Sequence, residues 1–216
     1  MAMGANITGV KICGITEAVA LDTAIEAGAR WVGFVFFGPS PRNVAPDVAK
    51  MLAAQVPDGG PGRIGLFVKP TDAEITRVLD TVTLDGLQVY APEARAMEIR
   101  ARFGLPVWRA VGIAARSDLP SATGLDGLVI ESRPPAGSTR PGGNARCLDW
   151  GLTEGWRAPA PWMLAGGLKP DNVADAIMRS GARAVDVSSG VESAPGVKSA
   201  TLIRAFITAA MNAFRA

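Results

Sequence analysis

Short apolar segments alternate with helical ones about eight times along 216 residues, and no nucleotide-binding glycine loop interrupts them. That count, at that length, predicts a (β/α)8 TIM barrel near the lower end of its size range, folded as one compact domain over residues 1–216. Alternation implies parallel strands joined by right-handed crossovers. An open doubly wound sheet is the competing architecture. It calls for a GxGxxG or Walker A sequence, and the chain has neither.

The first unit is Val10-Lys11-Ile12-Cys13-Gly14-Ile15-Thr16. Its opening residues read as the end of a buried strand, and Gly14 permits a turn. Thr16 is placed to cap a helix whose Ala, Leu and Ile recur on one face over 17–29. The second strand, 31–36, is followed by the turn-rich Gly38-Pro39-Ser40-Pro41 and a helical pattern over 46–55. Ile64-Gly65-Leu66-Phe67-Val68 is the third strand, and Pro70 and Thr71 open a helix running to about residue 80. Residues 86–89 and 107–111 are the next two strands. A full helix over 92–103 follows the fourth strand, but only a short turn or helix near 117–122 follows the fifth.

Leu128-Val129-Ile130 ends at Glu131 and leads into the longest irregular stretch, 132–147, with three prolines and three glycines. Residues 149–156 suit a short helix. Residues 162–165 form the seventh strand, then come Gly166-Gly167 and a helix capped near Asp171. The last strand, 184–187, is followed by Ser188-Ser189-Gly190 and a loop. The closing helix over 199–214 carries Leu202, Ile203, Phe206, Ile207, Met211 and Phe214 on one stripe.

Composition narrows the function. A net charge of +2, with no Lys or Arg cluster, argues against a nucleic-acid partner. No apolar run reaches the roughly 18 residues a membrane span requires, and residues 1–9 lack the charged and apolar regions of a signal peptide, so the cytoplasm is the expected location. The two cysteines, Cys13 and Cys147, lack CxxC spacing. The chain contains no histidine, which removes Ser-His-Asp and Cys-His pairs and histidine metal sites. Proton transfer must then rest on Cys, Asp, Glu, Lys or Tyr.

A barrel carries its chemistry at the C-terminal ends of its strands. Read in order, those ends are Cys13, then Phe36 with Arg42 in its loop, then Gln88 to Tyr90, Arg109, Glu131, Gly166 with Gly167, and Asp186 with Ser188, Ser189 and Gly190. Alternation puts Lys11 with Cys13, Val129 with Glu131, and Ala184 with Asp186 on shared faces. One thiol and two carboxylates would then meet at one mouth. The small residues of the two final loops suit a phosphate seat built from backbone N–H groups, so a phosphorylated small molecule is the expected partner.

Several of these segments together resemble phosphoribosylanthranilate isomerases. They are Lys11-Ile12-Cys13-Gly14-Ile15, Gly33-Phe34-Val35-Phe36 with Ser40-Pro41-Arg42, Gly142-Gly143 before Asp149-Trp150, and Leu164-Ala165-Gly166-Gly167-Leu168 with Pro170-Asp171-Asn172-Val173. The run from Ala184 through Asp186 and Ser188-Ser189-Gly190 to Glu192 completes the likeness, which spans nearly the whole chain in order.

The resemblance implies an Amadori rearrangement in tryptophan biosynthesis, without a cofactor. A general acid opens the furanose of N-(5-phosphoribosyl)anthranilate, and a cysteine base removes the C2 proton. It implies Cys13 as the base and Arg42 as the partner of the anthranilate carboxylate, with Gly166, Gly167, Ser188, Ser189 and Gly190 around the phosphate. Asp186 is a further substrate-binding candidate, the alternative being a tie between strand ends. The expected assembly is a monomer or homodimer.

Three positions depart from the family pattern. Gln88-Val89-Tyr90-Ala91 stands where the family usually has Gln-Leu-His-Gly, Arg146 where it has lysine, and Glu131 where its general acid is aspartate. Asp126 is no substitute, since it precedes the sixth strand. Glu131 is therefore taken as the acid. Two other readings stay open: a different sugar-phosphate barrel enzyme, against which Cys13 argues, and a ligand-binding barrel without turnover, which only Glu131 favours. Cys147 and Tyr90 are read as packing, and Trp108 as the tryptophan nearest the mouth.

Overall fold

The computed structural model describes residues 8–134, Gly137 and residues 147–215. Eight parallel strands close on themselves in chain order: β1 (Gly9–Cys13), β2 (Trp31–Phe36), β3 (Gly62–Val68), β4 (Gly86–Tyr90), β5 (Val107–Ile113), β6 (Gly127–Ser132), β7 (Trp162–Leu164) and β8 (Ala184–Val187). Closure is visible in the register of Lys11, which lies opposite Trp31 on β2 and Asp186 on β8. The TIM barrel expected from the sequence is the fold found.

Helices α1 (Ala18–Glu26), α2 (Pro46–Ala53), α3 (Asp72–Leu79) and α4 (Glu93–Phe103) cover the first four strands. Among the described residues, β5 and β6 are followed by 3₁₀ turns, Arg116–Asp118 and Trp150–Thr153, which are the shortened substitutes anticipated there. α5 (Val173–Ser180) follows β7. After β8 come a 3₁₀ turn (Ser189–Val191), a small antiparallel hairpin of β9 (Glu192–Ala194) and β10 (Val197–Lys198), and α6 (Ala200–Ala213).

Local capping differs from the expectation in two places. The residue at the start of α1 is Glu17, without a side-chain cap bond, so Thr16 does not cap it. Asn172 rather than Asp171 precedes α5, and its amide serves the glycine loop, accepting from Lys169 N at 2.7 Å and donating to Gly167 O at 3.1 Å. Thr71 does cap α3, in a reciprocal bond pair with Glu74.

Side-chain alternation divides the core. Outward-facing strand residues pack under the helices, with Ile203, Phe206 and Ile207 of α6 buried in that layer and α6 lying against β1. Inward-facing residues fill the barrel, and its floor is plugged by Trp31 and Trp108, whose rings lie 5.9 Å apart. Glycines make room for them: a Cβ at Gly62 would sit 2.9 Å from Trp31, and one at Gly127 2.7 Å from Trp108. Trp108 therefore belongs to the floor and not to the mouth. Arg109 is also misplaced by the sequence reading, because β5 continues to Ile113 and leaves Arg109 mid-strand, facing α4 and Glu93. Asp126 lies at the opposite end from the mouth, as expected, bonded to Arg100 and to Val107 N.

Candidate active site

β1 aims two side chains into the barrel, Cys13 at the rim and Lys11 one pleat below; both are buried. Gly33 on the neighbouring strand is what makes space for the pair, since a Cβ there would come within 3.0 Å of Cys13 Sγ and 3.3 Å of Lys11 Cε. The Lys11 ammonium donates to Gln88 Oε1 at 2.8 Å and to Asp186 Oδ1 at 2.9 Å. Burial works against its charge, but Asp186 and Cys13 outweigh that cost and raise its pKa. For Cys13 the balance runs differently. Burial pushes the thiol pKa up, and Lys11 pulls it back only in part.

Glu131, the penultimate residue of β6, lies on the same inward face and is 4% exposed. Burial, reinforced by the nearby Asp186, pushes its carboxyl pKa up to about 8, against the downward pull of Tyr90 and Lys11. The Tyr90 hydroxyl lies beside that carboxyl, and burial together with Glu131 places the phenol pKa well above its usual value. Tyr90 packs beside Cys13 and Leu66 as the sequence suggested, but it also carries this polar contact. The mouth thus presents a protonated carboxyl and a thiol next to a buried ammonium.

The rim is made by loops. Gly14 has φ +80°, and a Cβ on it would lie 2.9 Å from Arg42 Cδ, so the glycine after Cys13 both turns the chain and lets the Arg42 stem cross it. Arg42 Nε and Nη2 donate to the two Glu192 oxygens at 2.6 and 2.8 Å. Opposite, Gly166 and Gly167 adopt φ of +86° and +68°, and Ser188 Oγ donates to Cys13 O at 3.0 Å. A funnel of about 700 Å³ opens here to solvent. Cys13, Arg42, Glu131 and Asp186 line it, as do Gly166, Gly167, Ser188, Ser189 and Gly190. The nine residues assigned to catalysis or substrate binding from the sequence all line this one space.

Residues 10–209 match the family model described as N-(5'-phosphoribosyl)anthranilate (PRA) isomerase. The chain belongs to this family. An N-(5'-phosphoribosyl)anthranilate isomerase of Acidiphilium cryptum is 56% identical over 201 residues, covering 93% of this chain and 97% of the relative. The crystal structure of the Thermotoga maritima phosphoribosyl anthranilate isomerase superposes with a TM-score of 0.81 at 32% identity, over 95% of this chain and 100% of that one. Another solved isomerase, in complex with reduced 1-(o-carboxyphenylamino)-1-deoxyribulose 5-phosphate, gives a TM-score of 0.80 at 31% identity, over 95% of this chain and 100% of that one.

Against the family pattern, the departures at Tyr90 and Glu131 lie in contact with each other, whereas Arg146, Gly142 and Gly143 lie outside the described residues. The sequence reading overlooked Lys198 and gave Glu192 no role. The available signal was Pro195-Gly196, a turn dipeptide between them that marks a hairpin. Cys147 is exposed and donates to Gly167 O at 3.3 Å, so it is a loop thiol resting on the glycine turn.

The two glycine loops touch so closely that a Cβ at Gly190 would lie 1.7 Å from Leu168 O. Gly190→Ala must therefore force them apart. It is expected to raise KM for a phosphorylated substrate by roughly tenfold or more, since about 1 Å of misplacement can cost ~10²-fold. Unchanged steady-state constants would show that the loops need not meet.

Proposed function

We propose that this chain catalyses the Amadori rearrangement of N-(5-phosphoribosyl)anthranilate to 1-(2-carboxyphenylamino)-1-deoxyribulose 5-phosphate in tryptophan biosynthesis, with Glu131 as general acid and Cys13 as general base. The observation that carries this reading is that Glu131 and Cys13 share one mouth between Arg42 and the paired glycine loops. Glu131 gives its proton to the furanose ring oxygen as the C1–O bond breaks, and the anilino nitrogen supplies the electrons that form a C1=N iminium. The Cys13 thiolate then takes the C2 proton. The C2–H electrons move into a C1–C2 double bond and the iminium electrons return to nitrogen, leaving an enolamine that tautomerises to the C2 ketone with a proton added at C1. Atoms and charge balance without a cofactor.

Each role has physical support. An acid must hold a proton at working pH, and a carboxyl of pKa about 8 does so. That value also weighs against the ligand-binding reading, because Glu131 keeps the proton its role requires. The base needs negative charge beside a positive partner. Lys11 is buried, held by Asp186 and Gln88, and stabilises the thiolate form. The direct test is the fluorescence-monitored disappearance of freshly made phosphoribosylanthranilate with and without the protein. A rate no higher than the spontaneous one would overturn the assignment.

Arg42 is assigned to the anthranilate carboxylate, since a planar guanidinium fork suits a planar carboxylate. Arg42→Ala is expected to weaken binding of the reduced product analogue by roughly tenfold or more, the scale of a charge-assisted hydrogen bond. An analogue without the carboxylate should bind both proteins alike. Equal losses for the two analogues would give Arg42 another task.

A further inference from the structure

The mechanism leaves two buried charges unused, Glu192 on β9 and Lys198 on β10. The Lys198 side chain is wholly buried, and its ammonium donates to Ser188 O at 3.0 Å, Ser188 Oγ at 3.3 Å and Glu192 Oε1 at 2.8 Å. Glu192 accepts in addition from Arg42 Nε and Nη2 and, at 3.1 Å, from Gly196 N in the hairpin turn. One carboxylate is therefore shared by two cations. One of those cations belongs to the loop after β2 and the other grips the loop after β8.

The turn of the hairpin is itself pressed onto the Arg42 loop. Gly196 has φ +85°, and a Cβ there would lie 2.5 Å from Pro41 O. A polar triad buried in this way is not a strong source of stability, because well-packed apolar residues often do as well. It does fix geometry. Glu192 occupies the Nε and Nη2 side of the guanidinium, which leaves the outer edge of Arg42 for a ligand.

We propose that the Glu192–Lys198 hairpin is a positioning device that holds the carboxylate-reading and phosphate-reading ends of the mouth in register, Glu192 orienting Arg42 and Lys198 orienting Ser188. The proposal rests on the isomerase reading above. Neither residue lines the funnel; Lys198 spends its hydrogen bonds on Ser188 and Glu192.

The test measures dissociation constants for three ligands: the reduced product analogue, the same molecule without its carboxylate, and the same molecule without its phosphate. Glu192→Gln keeps the side-chain size but loses the charge. It should weaken the two carboxylate-bearing ligands on the order of tenfold and leave the carboxylate-free one unchanged. Lys198→Met should do the reverse, weakening only the phosphate-bearing ligands by a similar factor. If Lys198→Met does not fold, the near-isosteric Glu192→Gln still decides the matter. Equal losses for all three ligands in a variant with wild-type thermal stability would reduce the hairpin to scaffolding and overturn the proposal. Arg42→Ala separates the two layers of inference. Failure of Arg42→Ala to discriminate the carboxylate would undo the reading of Arg42, whereas discrimination by Arg42→Ala but not by Glu192→Gln would undo the positioning role alone.

Discussion

Cys13→Ala is expected to lower kcat by at least about 10²-fold, the usual scale of general-base catalysis, with little change in KM. The chain contains no histidine, so no imidazole can stand in. Among the neighbours, the Lys11 ammonium has its pKa raised and cannot accept a proton, and Glu131 holds one at neutral pH. Asp186 is tied to Lys11 at 2.9 Å. In the proposed reading Arg42 and the glycine loops hold the two ends of the substrate, so the thiol should contribute little to affinity. Steady-state turnover decides the point, and wild-type-like kcat would remove Cys13 from the mechanism. Cys147→Ala is the control. That thiol is exposed, bonded to Gly167 O and to the Asn172 amide at the back of the glycine turn, and its loss should leave kcat nearly intact.

Glu131→Gln should abolish most turnover while preserving affinity for the product analogue, and two pH-dependent effects should accompany the loss. In the proposed mechanism the reacting state needs Glu131 protonated and Cys13 ionised, and burial keeps the thiol pKa above that of the carboxyl. In the wild-type protein kcat/KM should climb as the thiol ionises and bend near pH 8, where Glu131 begins to lose its proton. It should fall only once the thiol is fully ionised. The two limbs belong to the coupled pair, but the bend near pH 8 should vanish from any residual rate of the Gln variant.

The second effect is on stability. A carboxyl with a folded pKa of about 8 and an unfolded value near 4.3 keeps its proton longer in the native state. Its contribution is fully present below pH ~4 and drains away as pH rises through about 8. Glu131→Gln never has to bury a charge. It should match the wild type near pH 4 and exceed it at pH 8 by a few kcal/mol at most, seen as a Tm several degrees higher. Equal Tm values at both pH values would mean that Glu131 is not buried in its neutral form. Glu131→Asp tells how the site is tuned. Faster turnover would mark the glutamate site as a compromised isomerase, and slower turnover a pocket refitted around the longer arm through its Tyr90 contact.

The barrel was legible in the sequence because alternation of apolar and helical periodicity is a local property. The same holds for the positions of Cys13, Glu131 and Asp186, which follow from counting residues to a strand end, and for the small-residue runs around Gly166 and Ser188. Where the strand end was misjudged the counting failed, as at Arg109, which β5 overruns by continuing to Ile113 and so leaves facing α4. Trp108 was misplaced with it, and only the closed barrel shows it plugging the floor against Trp31.

Charge pairing and burial were not legible, because both depend on which distant segments are brought together. Lys11 meets Asp186 across 175 positions of chain, and Arg42 meets Glu192 across 150. Nothing local in either segment announces the partner. The proton on Glu131 is of the same kind. Its residue type and place on β6 come from the sequence, but its pKa of about 8 comes from the water that the closed barrel excludes and from Asp186 on another strand. Sequence by itself determined which groups stand at the mouth; the tertiary structure decided their charges, because those charges are set by a dielectric and by neighbours that exist only after the strands have closed.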